Sequence, residues 1–147
     1  DVYVITQNVD NLHERAGSSH VLHLHGELMK VRALDDESKV WELKPEAIET
    51  TVDTVIDGHL VRPHIVFFQE AVPNIEPAVK LVEQADVFVV IGTSLNVYPA
   101  AGLLHYVRPG VPVYYIDPKP AAVPQGVTVL PMKASEGVER LAQILRN

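Results

Sequence analysis

Short apolar runs of four or five residues recur along the chain, each bounded by polar, glycine or proline positions. They fall at residues 2–5, 21–24, 65–68, 87–91, 113–116 and 127–130 and are rich in Val, Ile, Tyr and Phe. Runs this short and this β-branched predict strands, most of them buried on both faces as in a parallel sheet. Residues 2–6 read as a central parallel strand. Between the runs the apolar spacing changes to that of helices. Residues 75–85 place Ile75, Val79 and Val82 on one face behind Asn74, a residue suited to an N-cap. Residues 100–107 read as helical. Residues 137–145 read as a closing helix with Val138, Leu141 and Leu145 toward the sheet. Residues 11–16 predict a brief helical turn ending at Gly17, and residues 28–31 an extended segment.

Residues 35–58 break the rhythm. They are polar and acidic, with a possible short helix at 44–49 and a turn at Asp57-Gly58. Alternation of strands and helices elsewhere predicts an α/β fold: a Rossmann-like parallel sheet with helices on both faces, carrying a small insertion module at roughly residues 32–60. A strand that starts at the second residue leads us to expect that residues 1–147 are the C-terminal major part of a larger domain. No repeat or low-complexity tract interrupts the pattern.

Composition narrows the classes. The 147 residues are 47% apolar and 21% charged, in the range of one globular domain. A net charge of −7 argues against general affinity for nucleic acid or an anionic membrane, and still permits a basic peptide substrate. The apolar runs are too short to span a bilayer, and the start shows no signal-peptide pattern. With no cysteine, the chain has neither disulfides nor thiolate zinc ligands, which fits a cytoplasmic protein.

Chemistry-bearing groups gather where strands are expected to end, the place where open α/β sheets bind ligands. Gln7, Asn8 and Asp10 follow the first strand. They either close it and cap a helix, or converge on sugar hydroxyls and amides. His25 ends the second strand. It is a candidate base for a hydroxyl proton, a backbone hydrogen-bonding group, or, with His23 one residue removed on the same face, half of a metal pair. No further ligand of suitable spacing accompanies that pair. Gly92-Thr93-Ser94 follows the strand at 87–91, where small residues and N–H groups suit phosphate or ribose. Asp117 ends the next strand and either chelates a ribose diol or starts the turn at Pro118. Val66, Phe67, Phe68 and Val97 are core residues or the walls of a tunnel for a lysine stem. His13, His20, His59, His64 and His105 read as surface or structural.

Taken in order, five segments resemble one family. Thr6-Gln7-Asn8-Val9-Asp10, His25-Gly26, the run from Pro63 to Glu70 (PHIVFFQE), the run from Gly92 to Pro99 (GTSLNVYP) and Ala134-Ser135-Glu136-Gly137-Val138 follow the sirtuin pattern from end to end. The flavour is that of bacterial deacylases of the class that includes desuccinylases. The resemblance implies NAD-dependent removal of acyl groups from protein lysines, with nicotinamide and O-acyl-ADP-ribose as products. It implies NAD as cofactor, acylated lysine-bearing proteins or peptides as partners, and no metal in the chemistry. His25 would be the general base on a ribose hydroxyl, with Asn8 and Asp10 catalytic beside it. Gln7, Asn8, Val9, Asp10, Gly92, Thr93, Ser94, Asp117 and Ala134 would hold the cofactor. Val66, Phe68, Gln69, Glu70 and Val97 would hold the substrate.

Three departures from the family pattern stand out. The family's N-terminal Gly-Ala-Gly-x-Ser loop is absent from the 147 residues, so these alone are expected to bind NAD poorly. The four zinc-binding cysteines of many members are also absent, which predicts a zincless module that is either held by packing or disordered. Gln69 stands where the family has Gly, and Tyr115-Ile116-Asp117 stands in place of an Asn-containing ribose segment. Two other readings remain: a catalytically poor NAD- or ADP-ribose-binding module, and a metal hydrolase using His23 and His25.

Overall fold

The computed structural model describes residues 1–93 and 100–146. The chain divides into two compact units, Asp1–Ala78 and Val79–Asn147. The first opens with β1 (Val4–Thr6), paired in parallel with β2 (Val21–His23) in the register Val4–Val21, Ile5–Leu22 and Thr6–His23. Between them lies one helical turn, α1 (Leu12–Arg15). Asp10 Oδ1 accepts the Leu12 N–H at 3.0 Å to start the turn. Gly17, at φ 96°, lets the chain reverse behind it.

The segment from Gly26 to Ile65 folds as an antiparallel sheet. Its strands are β3 (Gly26–Ala33), β4 (Val40–Glu42), β5 (Val55–Ile56) and β6 (His59–Ile65), in the order β4-β3-β6-β5. Asp57 and Gly58, at φ 50° and 83°, form the two-residue turn of the β5–β6 hairpin. Val31, Ala33 and Val61 are buried in it. Its tip carries a polar cluster. Lys39 Nζ donates to His59 Nε2 at 2.7 Å, His59 Nδ1 donates to Asp35 at 2.8 Å, and Trp41 Nε1 donates to Asp57 at 2.9 Å. The short helix expected at 44–49 is one 3-10 turn, Pro45–Ala47.

Two expectations change here. The strand placed at 65–68 runs instead from His59 to Ile65. Its frame is set by the Asp57-Gly58 turn, and Phe67 and Phe68 leave the ladder exposed at 49% and 101%. Asn74 stands at the N-cap position, its carbonyl accepting the Ala78 N–H at 3.1 Å, but its side-chain amide goes to the carbonyl of His23 at 2.7 Å.

α2 (Ile75–Gln84) contains buried Ala78 and Val82. In the second unit, β7 (Phe88–Ile91), β8 (Val113–Ile116) and β9 (Val127–Leu130) form a parallel sheet in sequence order, with Val90–Tyr115 and Tyr115–Val129 in register. A 3-10 segment, Ala100–Tyr106, buries Leu103. α3 (Ala134–Arg146) packs on the sheet through Leu141, which meets Ile116 and Leu130, with Ile144 beside them. The face expected for this helix is rotated: Val138 and Leu145 are exposed, while Gly137 and Leu141 are buried. Parallel strands with crossover helical segments make the fold Rossmann-like α/β. Among the described residues, no helix is long and apolar enough to cross a membrane.

Gly137 explains the rotation. A Cβ there would overlap the Cγ2 methyl of Ile116, a fully buried β-branched side chain with little freedom to move. Gly137→Ala is therefore expected to lose about 1–2 kcal/mol, the overpacking outweighing the gain in helix propensity. Thermal unfolding checks this, and a melting temperature at or above the parent's would show that α3 is free to lift.

Candidate active site

The end of β1 and the start of the following loop are buttressed from the neighbouring strand by two imidazoles. His25 Nδ1 lies 3.1 Å from the carbonyl oxygen of Gln7, and His23 Nδ1 lies 2.9 Å from that of Asn8. A carbonyl only accepts, so both Nδ1 atoms carry protons. In neutral His25 this fixes the tautomer and leaves the lone pair on Nε2. The residue is half-buried, as are Gln7, Val9 and Asp10, while Asn8 is exposed. Thr6, buried beneath them, accepts the Asn8 N–H on its hydroxyl at 3.1 Å. Residues 7, 8, 10 and 25 are thus brought to one place, at the carboxyl ends of two parallel strands.

His23 does not pair with His25. Its Nε2 faces Glu14 Oε1 at 2.7 Å, and the ring is 4% exposed. Ligating atoms of Glu14, His23 and Glu27 lie within 4.8 Å of one another, and Lys30 Nζ sits 2.8 Å from Glu27. Burial works against a charge on His23. The Asn8 carbonyl and the Glu14 carboxylate outweigh it, and the imidazole pKa is raised. The His23 hydrogen bond lowers that of Glu14. A raised His23 pKa adds stability that is whole below the unfolded-state value and is lost as pH rises through the folded one. The lowered Glu14 pKa adds stability that is lost as pH falls through its folded value. The pair is therefore intact between those two limits.

Gly26 follows the candidate base at φ 81°, where β3 passes β6 so closely that a Cβ would enter the His64 carbonyl oxygen. The Val66 N–H donates to the His25 carbonyl at 2.9 Å, tying the segment that follows β6 to the same strand end. Beyond it, Glu70 turns its carboxylate back into its own loop. It accepts from Arg62 at 2.7 and 3.1 Å and from the Phe67 N–H at 2.9 Å. These bonds, Arg62 first, lower its pKa. Gln69 sits at φ 70°, a left-handed conformation that favours glycine. Phe68 projects fully into solvent.

In the second unit, Gly92 follows β7 at φ 61°, and none of the described residues comes within 4 Å of where its Cβ would lie. Its N–H donates to the Ile116 carbonyl at 3.0 Å. The hydroxyl of buried Tyr115 donates to the carbonyl of Thr93 at 2.8 Å, and the Tyr115 hydroxyl oxygen accepts the Ala121 N–H at 3.3 Å. Tyr115 thereby holds two loops at the carboxyl end of this sheet. Asp117 Oδ1 accepts the Lys119 N–H at 2.7 Å, the turn-starting role. Ala134 is exposed as the first residue of α3. Ser94 and Val97 lie outside the described residues. The roles of Glu14, Asn74 and Tyr115 were not visible in the sequence, because no spacing or motif links Glu14 or Asn74 to His23, or a strand tyrosine to a loop carbonyl.

Strand-end polar groups and an imidazole with a fixed tautomer on a Rossmann-like scaffold place this chain among α/β proteins whose ligand sites lie at the carboxyl ends of the strands. Comparison with known proteins gives the family. Residues 1–99 match the model of the Sir2 family. The chain is 60% identical over 151 residues to an NAD-dependent protein deacylase of Bacteroides thetaiotaomicron, covering 99% of this chain and 64% of the relative. It is 52% identical over 120 residues to one of Aggregatibacter actinomycetemcomitans, covering 82% and 57%. A solved Sir2 homologue in complex with NAD superposes with a TM-score of 0.82 at 36% identity, over 99% of this chain and 58% of that one. The chain belongs to the Sir2 family, and it spans less than two thirds of the length of these relatives.

Proposed function

We propose that this chain is the major part of an NAD-dependent protein-lysine deacylase that yields nicotinamide and O-acyl-ADP-ribose. The carrying observation is the His25 imidazole, whose Nδ1 is committed to the Gln7 carbonyl while Nε2 is left to take a proton. The residues fit NAD on chemical grounds. Asn8 and Asp10 offer an amide and a carboxylate at the strand end, and Gly92 offers bare backbone where a phosphate or ribose approaches. When bound, NAD supplies a ribose carbon from which nicotinamide departs and to which the acyl oxygen adds. Asn8 and Asp10 orient the ribose and carboxamide. His25 Nε2 would take the proton of the neighbouring ribose hydroxyl as that oxygen bonds to the acyl carbon, the lysine amine would then leave that carbon, and a water would enter to leave the acyl group on a ribose oxygen. Val66 would flank the lysine stem, Phe68 would turn in from its exposed position to cover it, and Gln69 and Glu70 would present backbone to the substrate peptide; Val97, the third expected wall, lies outside the described residues.

Other support comes from the relatives. Two are named NAD-dependent protein deacylases, and a solved Sir2 complex with a p53 peptide and NAD matches at a TM-score of 0.77 and 34% identity. We extend the reading to a zincless module, to acyl chains that include succinyl, and to the cytoplasm. The absence of cysteine supports the first and last of these. The test is nicotinamide release from NAD with acetyl- and succinyl-lysine peptides. It uses the native protein, this 147-residue chain, and a chimera joining the N-terminal third of the Bacteroides relative to it. Release by the chimera or the native protein is expected. NAD binding by all forms without release would move the assignment to a binding module, and NAD-independent turnover lost on chelation would move it to a metal hydrolase.

A further inference from the structure

The loop that carries Asn8 and Asp10 is spanned by one buried ring. His23 reaches the carbonyl of Asn8 at the start of the loop through Nδ1, and Glu14 on α1, past its end, through Nε2. We propose that His23 is a positioning residue: a doubly donating imidazole, held by Glu14, that staples residues 7–10 in the conformation the reaction needs.

The His23 residue is itself anchored at three points. Its backbone is in register with Thr6 across the β1–β2 ladder, its carbonyl takes the Asn74 amide, and Nε2 meets the Glu14 carboxylate. The Asn8 carbonyl that it grips is next along the chain from the Gln7 carbonyl that fixes the tautomer of His25. Loss of the His23 donor frees the peptide between Asn8 and Val9. That displaces the Asn8 and Asp10 side chains and loosens the acceptor for His25 Nδ1. A neutral His23 has a single N–H, so it serves Asn8 or Glu14 but not both. The charged groups that face the ring are Glu14 from α1 and Glu27 from β3. Lys30 is paired to Glu27, and His13 acts on Glu14.

This inference rests on the deacylase reading for its kinetic arm, and nuclear magnetic resonance of the imidazoles gives it a separate one. The native protein is compared with His23→Phe, His23→Gln and Glu14→Gln. For His23→Phe, kcat/KM for NAD is expected to fall roughly 10- to 100-fold, the worth of a charged hydrogen bond. The fall should come from both a raised KM for NAD and a lowered kcat, with KM for the acyl-peptide unmoved. His23→Gln, whose side-chain amide is still able to donate to the Asn8 carbonyl, should recover part of the loss. Glu14→Gln, a change at a more exposed position that keeps the protein folded if His23→Phe does not, should move the alkaline limb of the pH profile to lower pH.

In the native protein at neutral pH, the His23 ring should show two bonded N–H protons, and the amides of residues 8–10 should follow its titration. A single-proton His23 with unmoved loop amides would overturn the staple. So would variants that melt earlier yet keep the parent's KM for NAD and pH profile, since that is what a merely structural residue does. If the native protein releases no nicotinamide, the deacylase reading fails, and the resonance arm alone decides the staple.

Discussion

Replacing His25 with alanine is expected to lower NAD-dependent deacylation by roughly 10²–10⁴-fold, the usual worth of a positioned acid–base group. The fold should survive. The ring is half-buried and makes one hydrogen bond, to a backbone carbonyl, worth about 1 kcal/mol. The two effects separate cleanly by measuring nicotinamide release and thermal unfolding on the same preparation. His25→Gln is the sharper variant. It keeps a donor for the Gln7 carbonyl but has no nitrogen lone pair that takes a proton at neutral pH. Activity within tenfold of the parent in either variant would remove His25 from the role of base, however well the protein folds.

The neighbouring residue is expected to give the opposite result. Gly26→Ala puts a Cβ into the His64 carbonyl and holds an L-residue at φ 81°. The obstruction is backbone in the paired strand, so no side chain can rotate away from it. We expect a loss of more than about 3 kcal/mol, from strained φ and overpacking together. For a chain of this size that is roughly 10 °C or more in melting temperature, or failure to accumulate as folded protein. Gly17→Ala is the control. Gly17 also has positive φ, 96°, but nothing lies within 4 Å of where its Cβ would be. It should cost only the conformational part, about 1–2 kcal/mol. Equal losses in the two variants would mean that the close approach of β3 and β6 contributes nothing. His25 and Gly26 thus divide their work between chemistry and the placing of the strand that carries it.

The sequence is most legible where several constraints agree. β8 lies where four apolar residues in a row predict it, and β9 where Val127, Val129 and Leu130 surround an exposed Thr128, because burial and β-branching point the same way. Gln7, Asn8, Asp10 and His25 were readable because a parallel sheet exposes its strand ends in one place. Contacts made across long loops left no local trace. β4 and β5 are short and largely exposed, so no periodic signal marks them. β6 starts six residues before the apolar run that suggested it, since a turn fixed its frame and hydrophobicity did not. α3 was rotated by a single close approach at Gly137. The pairing of His23 with Glu14 crosses a turn and a strand, and the His-x-His spacing pointed instead to His25. Strand alternation does not extend to His25, which follows β2 in a turn, and each ring is spent on a different carbonyl.

The tip of the antiparallel sheet carries a further consequence. There, Asp35, His59 and Lys39 form a hydrogen-bonded row, joined by Trp41 and Asp57, in a chain without a single thiol. Peroxide, alkylating agents and mixed-disulfide exchange have no sulfhydryl to attack in it. What can loosen this row is acid, which protonates the Asp35 carboxylate that His59 holds below its ordinary pKa, or concentrated salt, which screens it. The tip answers to protons and ionic strength, and not to thiol exchange.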